Sequence, residues 1–164
     1  MLYLDITGRG PKKTCEKVVR WFKDQYLPRH HLDVTIQHRG LKREGAFGFC
    51  SVQDYDSRPR DFLIELHTNM DEDLYIQTLL HELWHMYQHV KGKLRDKRGV
   101  RLWKGIDYSM KAISYEDQPW EQEAHTMEEV LYSDFLTEMT KLSCYSPKWF
   151  VGFDQKTLLI HYDY

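Results

Sequence analysis

Residues 70–91 read MDEDLYIQTLLHELWHMYQHVK, and within them His81, Glu82, Leu83, Trp84 and His85 form an H-E-x-x-H pattern. Asn69, with Glu72 three residues on, makes a capping box, and Gly92 supplies a stop, so residues 70–91 are expected to form one long helix. On that helix Ile76, Leu79, Leu80, Leu83, Met86, Tyr87 and Val90 gather on one side, ready to pack on a sheet. His81 and His85 point the other way, together with Gln77, Thr78, Gln88 and His89.

Two histidines at i and i+4 share a helix face, so both imidazoles can reach one ion at about 2.0–2.1 Å. Glu82 lies beside that row, and its carboxylate can address a water on the ion rather than the ion itself. His89 cannot join both others, because it lies about 12 Å along the axis from His81; it reads as a surface or rim histidine. In a chain this rich in histidine a chance match has a probability of roughly 0.03. The competing interpretation is an amphipathic surface helix carrying two exposed histidines, and a third ligand decides between them.

A catalytic zinc site takes three protein ligands and keeps a place for water. The extended H-E-x-x-H-x-x-G-x-x-H pattern fails, since positions 88 and 91 are Gln and Lys. A carboxylate from a later helix is then the natural candidate. Pro119 suits a first helical residue, and the pattern after it predicts a helix to about Ser143, ended by Pro147. Its apolar stripe runs through Trp120, Ala124, Met127, Leu131, Phe135 and Leu142. Glu121 borders the stripe and is the first choice as ligand, ahead of Glu123, expected to face solvent, and His125. Alone, Glu121 would read as a first-turn glutamate favoured by the helix dipole. Ala124, small and central, allows another helix to come close.

The rest of the chain frames these helices. After Gly8, Gly10 and Pro11, the apolar positions Val18, Val19, Trp21, Phe22 and Tyr26 predict an amphipathic helix stopping before Pro28. Three extended segments follow, Asp33 to His38, Gly45 to Val52 and Asp61 to Thr68, implying a small sheet. Lys93 to Gln118 reads as a loop-rich span, and Lys156 to Tyr164 as a strand or docked tail. The fold class expected is α+β, in one domain over residues 1–164, since a chain of 164 residues buries one core but hardly two.

Composition excludes several functions. Cys15, Cys50 and Cys144 lie far apart with no C-x-x-C pair, which argues against a disulfide framework or zinc ribbon. The net charge is only −2. The basic run of Lys91, Lys93, Arg95, Lys97, Arg98, Arg101 and Lys104 is broken by Asp96 and lacks a nucleic-acid motif, so no nucleic-acid partner is expected. It reads as a solvated loop, offset by the acidic stretch from Glu116 to Glu138. No segment resembles a membrane span, and Asp5, Arg9, Lys12 and Lys13 come too early for a secretory signal, so a cytoplasmic location is expected.

With both motifs in view, the chain resembles the gluzincins, zincin-type zinc metallopeptidases in which H-E-x-x-H on one helix is completed by a glutamate from a later one. A leading helix, three strands, the motif helix and the glutamate helix are similar to the minimal gluzincin core. Pro119-Trp120-Glu121-Gln122-Glu123-Ala124 after His81 to His85 is similar to SprT-like zincins often encoded by bacteriophages. The resemblance implies one Zn²⁺ held by His81, His85 and Glu121, Glu82 as catalytic base, and a peptide or protein substrate paired to an edge strand before the motif helix. Gly45, Ala46 and Gly48 would permit such an approach, or mark a bulge. In several of these families the ligand stands in E-x-x-A-D or E-x-x-S-D. Here His125 occupies the place of the aspartate that orients a ligand imidazole, leaving that task to His125, Glu128 or a backbone carbonyl. Tyr108 and Tyr115 are candidates for an oxyanion donor or for packing.

Overall fold

The computed structural model describes residues 1–54, 58–97, 99–109 and 113–144. The elements run β1 (Leu2–Gly8), α1 (Lys12–Tyr26), β2 (Leu32–Arg39), β3 (Gly48–Val52), β4 (Asp61–His67), α2 (Glu72–Val90), β5 (Leu94–Lys97), β6 (Val100–Trp103), β7 (Ile106–Asp107) and α3 (Pro119–Cys144). This is an α+β protein, as expected from the sequence. The expected tail strand, the stop at Pro147 and Arg98 lie outside the described residues.

The main sheet has four strands rather than three, in the order β1-β2-β4-β3. β1 is the addition: Leu2, Leu4 and Ile6 pack against the core, and the strand pairs parallel to β2 from Leu2↔Leu32 to Gly8↔His38. Strict alternation sets the inner face of the central strands, where Leu32, Val34 and Ile36 of β2 and Phe62, Ile64 and Leu66 of β4 are buried. At the turn into α1, Gly8 has φ +77°, and a Cβ there would meet the carbonyl oxygen of His38 at 2.1 Å. β3 pairs antiparallel to β4 and forms one edge of the sheet.

α1 buries Cys15, Val18, Val19, Trp21 and Phe22, as its periodicity implies. α2 begins differently from the expectation. Its N-cap is Asp71, whose Oδ1 accepts from the Leu74 amide at 2.9 Å; Glu72 therefore falls in the first turn, too early to close a capping box with Asn69. At the other end Gly92 takes φ +70° and its amide donates to the His89 carbonyl, the stop expected there. Fourteen of the nineteen residues of α2 are buried, so it is a central helix and not an amphipathic surface one. Its apolar side meets the sheet and α1, and its polar side is covered by α3.

Two further differences concern the second half. The span expected as loop holds a second sheet, β5-β6-β7, of strands four, four and two residues long. Leu94, Trp103 and Trp120 form its own small core, which docks it on the start of α3. Along α3, Trp120, Ala124, Leu131 and Phe135 are buried as expected, whereas Leu142 at the far end is exposed. Ala124 has no exposed surface, consistent with close approach of α3 to α2. No helix among the described residues is long and apolar enough to cross a membrane.

Candidate metal centre

The two helices bring His81, His85 and Glu121 together at 6, 8 and 7% exposure. His85 Nε2 lies 3.1 Å from His81 Nε2 and 3.2 Å from Glu121 Oε2, and His81 Nε2 lies 3.3 Å from the same oxygen. All three ligand atoms are thus close enough together to bind one metal ion. Ligands 2.0–2.1 Å from a tetrahedral ion stand about 3.3 Å apart, so the triangle matches one face of such a tetrahedron.

The outer nitrogens fix which ring atom carries the lone pair when each imidazole is neutral. Gln88, fully buried, donates from Nε2 to the Trp120 carbonyl at 2.9 Å, which can only accept; its Oε1 must therefore face His85 Nδ1, 2.9 Å away. That makes His85 Nδ1 the donor and leaves Nε2 unprotonated in the neutral ring. His81 Nδ1 lies 3.2 Å from Glu128 Oε2, and the carboxylate fixes the same tautomer. Two lone pairs and a carboxylate oxygen at these distances repel one another unless a positive charge, a proton on His81 or a metal ion, lies among them, and the donor set fits a divalent metal.

The electrostatics agree. Burial acts to lower the His81 pKa, but hydrogen bonds to Glu121 and Glu128 override it and raise the value to about 9. Burial also acts against charge on Glu121, yet its bonds to His81 and His85 hold its carboxyl well below the usual range. The pocket therefore favours positive charge on its histidine side. Glu82, 6% exposed, is raised to about 7 by burial, against the pull of His85 and His81. Its carboxylate sits under β3, where a Cβ on Gly48 would come within 2.7 Å of Oε1. The small residue at position 48 gives this side chain its place.

A cleft of about 660 Å³ opens over the triad, with Gly45, Ala46 and Gly48 of the β3 side along one wall. Of the other candidate ligands, Glu123 is neither at the metal position nor simply solvated. It accepts from Trp84 Nε1 at 3.2 Å, Gln88 at 3.1 Å and Lys93 at 3.1 Å, tying α3 to the end of α2. The basic run and the acidic stretch do offset each other there, since Lys104 also approaches Glu123 at 3.4 Å. His125 is more exposed and sits beside His81 with ring centroids 4.7 Å apart; with His81 and Glu128 it forms a second close-set group.

Two placements, those of His89 and Tyr115, depart from the sequence. His89 is buried, its ring 6.4 Å from Phe62, and burial lowers its pKa to about 4; β5 closes over the side of α2 expected to be a rim. Tyr115 is at the site, but its hydroxyl donates to Glu121 Oε2 at 2.6 Å, while Tyr108 packs edge-on against Trp120. Gln88 was legible only as one polar residue among several; that it shares a face with His85, one turn on, was the available signal. Compared with protein-family models, curated proteins and solved structures, the chain matches none.

Proposed function

We propose that this protein is a zinc-dependent peptidase of the zincin type, with a pared-down gluzincin core resembling the SprT-like proteins. The observation that carries the proposal is the convergence of His81 Nε2, His85 Nε2 and Glu121 Oε2 beside a buried Glu82. Zinc bound by these three residues supplies a Lewis acid that acidifies water and polarises a carbonyl.

The chain's own groups do the rest. Gln88 and Glu128 orient the two imidazoles, and Tyr115 holds the Glu121 carboxylate in place. Glu82, with its carboxyl raised to about 7 by burial, is suited to take a proton from the attacking water and return it near neutral pH. As the water oxygen bonds to the peptide carbon and the C–N bond breaks, that proton goes to the leaving nitrogen. Among the described residues β3 is an edge strand; it lies along the cleft and would offer main-chain hydrogen bonds to an extended substrate.

The test is metal analysis followed by digestion of a broad peptide library with zinc-loaded protein. One zinc per chain and cleavage are expected, and Glu82→Gln should keep the zinc while losing roughly 100- to 10,000-fold in rate. An equally active, zinc-replete Glu82→Gln protein refutes the base. Stoichiometric zinc with no cleavage of any peptide identifies a binding module instead, and stoichiometric iron would replace zinc altogether.

A further inference from the structure

The second sheet has a consequence for the cleft. Arg101 of β6 reaches it, and among the described residues lining the cleft it is the sole Lys or Arg. Asp96 stands directly opposite it on β5 and accepts from Nε at 2.8 Å and from Nη2 at 3.0 Å. The guanidinium lies 5.3 Å from the centre of the Trp120 ring, and Trp120 immediately precedes Glu121. Its position is thus fixed in two directions, by a forked ion pair along one edge and by an aromatic face beneath.

Among the described residues, that arrangement leaves donors over. A guanidinium has five N–H groups and Asp96 engages two of them, while the side chain keeps 46% of its surface exposed. Two of the carboxylates that line the same cleft, Glu121 and Glu128, already have partners. Glu121 is held by His81, His85 and Tyr115, and Glu128 by His81 and His125.

We infer that Arg101 is a specificity-determining residue that binds a carboxylate of the substrate, so that the preferred peptides carry an acidic group at a fixed distance from the bond cut. This rests on the peptidase reading. The carboxylate comes from an Asp or Glu side chain or from the peptide's own C-terminus. Both present the planar, two-oxygen acceptor that a forked cation matches.

The test uses zinc-loaded full-length protein and synthetic fluorescence-quenched peptides. One arm compares peptides that differ only by Glu or Gln at each position flanking the cut; the other compares free with amidated C-termini. In one arm kcat/KM should fall about tenfold when the carboxylate becomes an amide, with the change in KM, as expected for a charged hydrogen bond. Arg101→Gln should erase that difference. Equal discrimination by both proteins, or none in either arm by the wild type, overturns the proposal.

Zinc content and a thermal melt establish that Arg101→Gln is folded. Should it not be, Arg101→Lys keeps the charge without the fork and should lose at least about threefold of the discrimination; undiminished discrimination overturns the proposal. If no peptide is cut, the same pairs are titrated calorimetrically into zinc-loaded Glu82→Gln protein. A tenfold preference for the carboxylate there supports Arg101 although the peptidase reading has failed, and its absence rejects both.

Discussion

His89 stands one turn beyond His85, and its environment reverses the logic of the candidate ligand histidines. His81 faces carboxylates that favour charge on it, whereas His89 is 6% exposed, packs near Phe62, and is held neutral by burial, aided by His85 and Arg101. Its pKa falls from 6.5 to about 4. Between those values the unfolded chain takes up a proton that the folded protein refuses. The contribution is therefore intact above pH 6.5 and lost progressively as the pH falls toward 4. At pH 5 the loss amounts to about 2 kcal/mol. Urea unfolding of the metal-free protein at pH 7 and pH 5 measures it: wild type should lose about 2 kcal/mol more than His89→Leu. Equal losses would mean that His89 takes up its proton equally in both states. The sequence shows His81, Glu82 and His85 by spacing alone, and Glu121 by its place beside an apolar stripe. It does not show the burial of His89 or the role of Gln88, because both depend on β5 and α3 closing over α2.

At the scale of elements, the site is set by how closely β3 and α3 approach α2. Ala124 on α3 and Gly48 on β3 are the small residues at those two approaches, and Gly48 is the tighter. A Cβ there would stand 2.7 Å from Glu82 Oε1, 2.9 Å from its Cγ and 3.0 Å from Thr78 Cγ2. Only the carboxylate end can give way, so Gly48→Ala should displace Glu82, the proposed base, and leave the candidate ligands untouched. A displacement of this order costs roughly 100-fold in rate. Peptide cleavage and zinc content of the variant check it; unaltered cleavage would show that Glu82 does not depend on this contact. The three main helices and three of the four main strands are legible in the sequence because each repeats its own period. β1 escapes because its alternation, Leu2, Leu4 and Ile6 against Tyr3, Asp5 and Thr7, sits at the terminus without turn signals before it. β5, β6 and β7 escape because strands of two to four residues carry too few periods, and their charges suggest solvent. The charges of Lys93 and Lys104 are instead spent on Glu123.

Across the whole molecule, the candidate metal site joins two helices, and most of the main core lies away from it. Phe22, Phe62, Ile64, Leu79 and Leu83 are fully buried in one cluster that spans α1, the sheet and α2 and takes in Ala124, Leu131 and Phe135 of α3. The three candidate ligands lie on the other side of α2, between it and α3. Removing the metal should therefore leave the fold formed but less stable, with α3 held by Leu131, Phe135 and Ala124 and by the Glu123 contacts. A ligand present at a thousandfold excess over its Kd stabilises the folded state by about 4 kcal/mol. For a domain of this length that corresponds to about 10 °C in Tm. Calorimetry of zinc-loaded protein against chelated, dialysed protein should show a fall of this size, with the far-ultraviolet circular dichroism at 25 °C nearly unchanged. A Tm that ignores zinc would mean that no ion joins the helices. Loss of helical signal on chelation would mean that the ion organises α3 and not merely its contact with α2.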